Sequence, residues 1–231
     1  MIEFIFMLTR DDVTVGNALD VVGEVQGSGL RYVGFKDVGP PPAVLADVTA
    51  AAHAAGMEVM LEVVSTSRED ELRSLHAARE IGVDWVLGGT HAREGAEILG
   101  GVGYCPFAGT VRGHPSVLAG EIEAIAADAA RLTATKGVDG VDLLAYRHET
   151  ADPVALTRAV VEAAGGPVIA AGSVRSLEQI AALEAAGAWA FTIGSAIFAG
   201  ELPGGPSIAG QVAAVLENIK GPGPFRFAEA G

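Results

Sequence analysis

Lysine occurs at only three positions in this chain, 36, 136 and 220, and one of them closes an apolar run, Tyr32-Val33-Gly34-Phe35-Lys36-Asp37. A carboxylate sits near the end of the next such run, Val59-Met60-Leu61-Glu62-Val63-Val64. Runs of this kind read as strands that carry an ionisable group to one end of a sheet. Turned towards a helix layer, Glu62 would be buried without a partner, which is costly for a carboxylate. It is therefore expected at the mouth, beside Lys36 on the neighbouring strand. There the two form an acid/base pair, with Glu62 moving a proton beside a carbonyl and Lys36 stabilising the developing enediolate. The alternative is a structural ion pair at the same place. A Schiff base at Lys36 would need burial to depress its pKa, and the sequence does not show that shift.

Further polar groups follow other apolar runs. His91 in Gly88-Gly89-Thr90-His91 and His148 in Tyr146-Arg147-His148-Glu149 are expected to shuttle protons or bind substrate. Joining Glu62 around a divalent metal is the other option for them, but no His-x-His or Glu-x-x-His spacing supports it, so no metal is expected. His114 reads as a loop residue, and His53 and His76 as surface residues of helices. Arg147 offers a bidentate grip on a substrate carboxylate or second phosphate, against pairing with Glu149 or Asp152. Arg10 and Asp11, after the first apolar run, are substrate-binding candidates, with helix capping as the alternative for Asp11 or Asp12. Asp142 reads as an interior polar contact, Cys105 as a small buried hydrophobe, and Trp85 and Trp189 as core or helix-interface residues.

Two further segments point to an anion site. Pro167-Val168-Ile169-Ala170-Ala171-Gly172-Ser173 and Ala190-Phe191-Thr192-Ile193-Gly194-Ser195 each take an apolar strand into Gly-Ser, with a helix close behind. Glycine lets an anion approach the backbone, serine adds a hydroxyl donor, and the helix start supplies unpaired N–H groups. The alternative is that both pairs are ordinary turns.

These residues need a scaffold, and the chain supplies one by repetition. Apolar runs near 2–8, 31–36, 57–63, 84–88, 102–108, 139–146, 167–170 and 188–193 are expected as strands. Ala-rich amphipathic stretches near 14–27, 41–55, 68–81, 92–99, 116–134, 153–164, 176–186 and 207–219 are expected as helices. Ser67 to Asp70 and Ser176 to Gln179 have the capping spacing, and Asp152-Pro153 sets a cap before a first-turn proline. Eight β/α units predict a single α/β domain, a (β/α)8 TIM barrel over 1–220 with a tail at 221–231. An open doubly wound sheet is the runner-up, but no Gly-x-Gly-x-x-Gly follows the first strand. In such barrels the last two strand–helix loops commonly bind phosphate.

Composition narrows the function classes. The 231 residues carry 15 Lys+Arg against 29 Asp+Glu, a formal charge of −14, and half are hydrophobic. That balance disfavours nucleic acid and anionic membrane surfaces as partners. The opening run from Met1 to Leu8 is too short to span a bilayer and lacks a basic leader, and the single cysteine makes no intrachain disulfide. A cytoplasmic location is expected, and the Ala-rich helices permit a homodimer.

The segment from Asp139 to Gly200 resembles the phosphate-binding (β/α)8 superfamily, which includes histidine-biosynthesis isomerase and cyclase barrels, N-acetylmannosamine-6-phosphate epimerases and orotidine- and keto-gulonate-phosphate decarboxylase-like proteins. The match rests on Ile193-Gly194-Ser195-Ala196-Ile197-Phe198; strand seven departs, with Gly172-Ser173 in place of a glycine pair. The resemblance implies that Gly172, Ser173, Gly194 and Ser195 take the phosphate positions. Its specific activities do not transfer. Strand one ends Phe6-Met7-Leu8-Thr9-Arg10-Asp11-Asp12 rather than in an Ala-Ile-Asp-like run, and strand three lacks Asp-x-Lys. The expectation is an enzyme acting on a small phosphorylated sugar or sugar-like metabolite by proton transfer next to a carbonyl, as an isomerase, epimerase, or related lyase or decarboxylase without a cofactor. The alternatives are a non-catalytic phospholigand-binding barrel and an FMN-dependent oxidoreductase using the same loops.

Overall fold

In the computed structural model, residues 1–219 are described, and the expected tail at 221–231 lies outside the described residues. Eight short strands are parallel: β1 (Glu3–Met7), β2 (Tyr32–Lys36), β3 (Glu58–Val63), β4 (Trp85–Gly88), β5 (Gly103–Cys105), β6 (Val141–Leu143), β7 (Val168–Ala170) and β8 (Ala190–Ile193). Their order in the sheet runs β6-β7-β8-β1-β2-β3-β4-β5. Past the end of β5, Phe107 bridges to Asp142 of β6, with Ala108 N–H donating to the Asp142 carbonyl at 3.0 Å and Asp142 N–H to Pro106 at 2.9 Å. The sheet thus closes on itself, and the chain is a TIM barrel.

Helices cover the outside: α1 (Ala18–Val25), α2 (Pro42–Ala54), α3 (Arg68–Ile81), α4 (Ala92–Leu99), α5 (Ile122–Thr133), α6 (Pro153–Ala163) and α7 (Leu177–Ala185). The short α8 (Ser195–Phe198) and α9 (Ile208–Asn218) follow β8. The expected caps form: Ser67, Asp152 and Ser176 accept from the amides of Asp70, Ala155 and Gln179 at 3.1, 2.7 and 3.3 Å. Each strand sends alternate residues to opposite faces. Outward-facing Phe4, Phe6, Val33 and Phe35 join the helices in one core. Inward-facing Ile5, Met7, Tyr32, Met60, Trp85, Leu87, Cys105, Ile169, Trp189 and Ala190 form a second, separate core inside the ring. Tyr32 and Trp189 meet edge to face at 5.8 Å, so both tryptophans belong to the barrel interior. No helix among the described residues is long and apolar enough to cross a membrane.

Three expectations are corrected, all on the mouth side. Residues 14–17 do not begin a helix: Thr9–Arg10 pairs with Val13–Thr14 in a hairpin, turned by Asp11 and Asp12 at φ 51° and 62°. Thr14 is drawn away from helix by β2, its hydroxyl donating to the Lys36 carbonyl at 2.9 Å and accepting the Lys36 amide at 2.8 Å. The start of the helix expected at 116–134 is likewise a hairpin, Thr110–Arg112 with Val117–Ala119, and α5 begins only at Ile122. The strand expected over 139–146 stops at Leu143, where a 3-10 turn over Ala145–Arg147 redirects the chain.

The interior is close-packed at its floor. A Cβ built on Gly103 of β5 would lie 1.8 Å from the Trp85 ring, whereas one built on Gly23, exposed on α1, meets nothing within 4 Å. Gly103→Ala is expected to cost about 1–3 kcal/mol. Gly23→Ala is expected to stabilise by roughly 0.5–1 kcal/mol. Calorimetry should show opposite shifts of Tm, at about 2–4 °C per kcal/mol.

Candidate active site

The register of β2 and β3 sets the centre of the site, since Lys36 and Glu62 are direct neighbours across the ladder. Both face inward at the mouth, and Lys36 Nζ lies 3.4 Å from Glu62 Oε1. The ammonium has a closer partner at 2.8 Å, Oδ1 of Asp12 from the first hairpin. Lys36, Glu62 and Asp12 are 4%, 3% and 5% exposed, so the cluster is buried. Arg147 reaches it from the turn after β6. Its Nη2 donates to Asp12 Oδ1 at 2.7 Å, its Nη1 contacts Asp12 Oδ2, and Nη1 also donates to the Ser116 carbonyl at 3.4 Å. Arg147 therefore pairs with Asp12 rather than with Glu149 or Asp152.

Burial pushes the Asp12 carboxyl up, but hydrogen bonds and charge from Arg147 and Lys36 outweigh it and hold the pKa well below the usual carboxylate range. Asp142 shows the reverse. It is fully buried inside the barrel, and neither carboxyl oxygen has a hydrogen-bond partner among the described residues. Burial first, then the charge of Glu62, raise its pKa far above the ordinary value, against the opposing pull of Lys36 and Arg147. Burial thus biases Asp142 towards its protonated form beneath a charged layer.

The cluster forms one wall of a cavity of about 190 Å³, whose other wall is Gly172 to Arg175 and Gly194 to Ala196. All four residues expected at a phosphate thus face the same space as Lys36, Glu62 and Arg147. Gly172 and Ser173 have φ of 75° and 60°, a turn of the kind that opens backbone N–H groups towards an anion. Among the described residues the amides of Ser173, Val174, Ser195 and Ala196 have no acceptor. Only glycine fits at 172 and 194, because a Cβ would come within 2.4 Å of Arg147 Nε and 2.5 Å of Thr9 Oγ1. The Ser195 hydroxyl accepts the Asp11 amide at 3.0 Å, tying this loop to the first hairpin.

Other expected residues are not brought to the cavity. His148 is a loop staple: its Nδ1 accepts the amides of Thr150 and Ala151 at 3.1 and 2.9 Å, which leaves Nε2–H to donate to the Gly120 carbonyl at 2.7 Å. His91 turns outward at the start of α4, its Nδ1 2.8 Å from buried Glu71. The side chains of Arg10 and Asp11 are 64% and 88% exposed and face each other at 3.9 Å, so Asp11 contributes only its backbone. Cys105 lies in the interior core, where burial raises its thiol pKa well above normal. Asp12, Thr192 and Arg175 line the cavity without having been singled out as site residues. The sequence signal for Asp12 was its place just past strand one, but its reach depends on the hairpin. Among the described residues no group of three His, Cys, Asp or Glu side chains is arranged to hold a metal.

No family model and no curated protein matches the chain. Among solved structures it is similar to a native KDPGal structure, at 18% identity and TM-score 0.66 over 93% of each chain. It is also similar to orotidine 5'-phosphate decarboxylase from Pyrococcus horikoshii OT3, at 14% identity and TM-score 0.65 over 94% of this chain and 99% of that one. Phosphoribosylanthranilate isomerase from Thermotoga maritima gives 15% and 0.64 over 94% and 98%. These likenesses bear out the barrel and extend over nearly its whole length; at such identities they carry the fold and not a reaction.

The state of Asp142 is open to measurement. A raised pKa means that the folded form keeps a proton the unfolded chain releases above about pH 4. Its contribution to stability is therefore intact below that pH and is lost as pH rises towards the folded pKa. Asp142→Asn, a neutral isostere, should match the wild type in Tm near pH 4 and exceed it by a margin that grows up to about pH 8. A constant difference across that range would show that Asp142 is ionised in the fold.

Proposed function

We propose that this chain is an enzyme acting on a small phosphorylated sugar or sugar-like metabolite by proton transfer next to a carbonyl. The supporting observation is that one cavity is walled on one side by Lys36, Glu62 and Arg147 and on the other by the two Gly-Ser loops. Its volume of about 190 Å³ is below the 300–1,000 Å³ common for drug-sized ligands, which suits a substrate of a few carbons. The amides of Ser173, Val174, Ser195 and Ala196 and the serine hydroxyls hold the phosphate, fixing the carbon chain across the mouth.

In this reading Glu62 takes the proton from the carbon beside the carbonyl. Lys36 and Arg147 face the carbonyl oxygen and stabilise the enediolate as its charge develops, from a cluster already oriented by Asp12. Lys36 is ion-paired to two carboxylates, which suits a fixed cation rather than an amine nucleophile. Asp12 orients both cations. Return of the proton by Glu62 to the neighbouring carbon, with the hydroxyl proton passing between the two enediolate oxygens, gives isomerisation; protonation of the same carbon by solvent on the opposite face gives epimerisation. In a lyase Glu62 instead takes the β-hydroxyl proton as the C–C bond breaks and a carbonyl fragment leaves, and in a decarboxylase CO2 leaves; in both the remaining enolate oxyanion is stabilised as before and its carbon takes up a proton.

The test is a thermal-shift screen against sugar phosphates, their dephosphorylated partners, inorganic phosphate and FMN, followed by isomerisation and cleavage assays on whatever binds. A phosphorylated sugar should raise the midpoint where its dephosphorylated partner does not. Glu62→Gln should then lower kcat about 10²-fold or more while the ligand-induced shift persists. Silence towards every phosphate compound overturns the anchor; full turnover by Glu62→Gln overturns the base. Selective stabilisation by FMN would instead support a flavin barrel.

A further inference from the structure

We propose that Arg175 grips the substrate phosphate by exchanging its present partner Glu201 for it, so that Glu201 sets how tightly the site holds phosphate. The inference rests on the phosphate reading of the two Gly-Ser loops. Three cationic residues line the cavity: Lys36, Arg147 and Arg175. Two are committed. Lys36 is 4% exposed between Asp12 and Glu62, and Arg147 is 17% exposed and forked onto Asp12. Drawing either towards a phosphate would strand a buried carboxylate, which is strongly unfavourable.

Arg175 is placed differently. It stands at the end of the β7 loop, with Nε 2.9 Å and Nη2 2.8 Å from the two carboxylate oxygens of Glu201, beyond α8. The two side chains are 63% and 35% exposed. Neither side chain is buried, so exchanging this partner strands no buried charge, unlike drawing on Lys36 or Arg147. The guanidinium fork that now matches a carboxylate matches two phosphate oxygens equally well. The root of the side chain is fixed, since the Arg175 amide donates to Gln179 Oε1 at 2.7 Å, and the proposed exchange is a rotation of the side chain about that root. Glu201 left beside the bound dianion is then released to solvent.

The alternative is a plain strap between the two loops, which acts on a bound dianion only through its two charges. These cancel, so a double variant of a strap would bind like wild type. Partner exchange makes Arg175 the direct contact, so the double variant keeps the full loss, and a double variant that binds like wild type overturns the exchange. Calorimetric titration with inorganic phosphate should show Glu201→Gln binding about two- to fivefold tighter than wild type, freed of the competing ion pair. Arg175→Gln should bind about tenfold or more weakly, and the double variant should behave as Arg175→Gln. Glu201→Ala provides a second removal of the carboxylate and should also tighten binding. Equal weakening in both single variants, or no change, with normal binding by wild type overturns this inference alone. Absence of phosphate binding by wild type overturns it together with the phosphate reading beneath it.

Discussion

The carboxylate of Asp12 is the contact on which the mouth of this barrel depends. Lys36 and Arg147 arrive from different elements and both point into one buried space, where two unscreened cations would drive each other apart. Asp12 lies between them and is hydrogen-bonded to both. The same contact explains the backbone that carries it. Two consecutive non-glycine residues in the left-handed region are unfavourable on their own. Here they are held by the ion pairs on one side and by the Ser195 hydroxyl on the Asp11 amide on the other.

Around that contact the mouth divides into two halves of different character. The half built from β2, β3 and the turn after β6 is buried, saturated with ion pairs and underlain by the buried carboxyl of Asp142. The half built from the loops after β7 and β8 has unsatisfied amides, hydroxyls and one exposed arginine. A buried, charge-paired wall thus stands beside a wall of free amide donors in one cavity.

How much of this could be read in the sequence follows from what each feature depends on. The eight-unit rhythm depends on local apolar runs and caps, so strands and helices were legible, as were the positions of Lys36 and Glu62 at strand ends. The Gly-Ser loops were legible because strand ends and loops are consecutive in the chain. What failed depends on tertiary contacts. Thr14 satisfies the end of β2 instead of starting a helix, and this makes the hairpin that delivers Asp12. His91 and His148 also come soon after strands, three and five residues past the ends of β4 and β6, yet Glu71 and the amides of Thr150 and Ala151 claim their rings. Sequence position locates a residue near the mouth; competing polar groups decide where it points.

The pairing of β1 with β8 has a consequence for how the chain comes to have a site at all. Glu3 finds its ladder partner at Ala190, and Asp11 its hydroxyl at Ser195. A chain emerging from the ribosome N-terminus first exposes one edge of its opening strand until the eighth unit is made. The hairpin that carries Asp12 lacks its anchor for the same interval. The cluster of Asp12, Lys36, Glu62 and Arg147, although drawn from the first two-thirds of the chain, is therefore among the last parts of the molecule to be completed during synthesis.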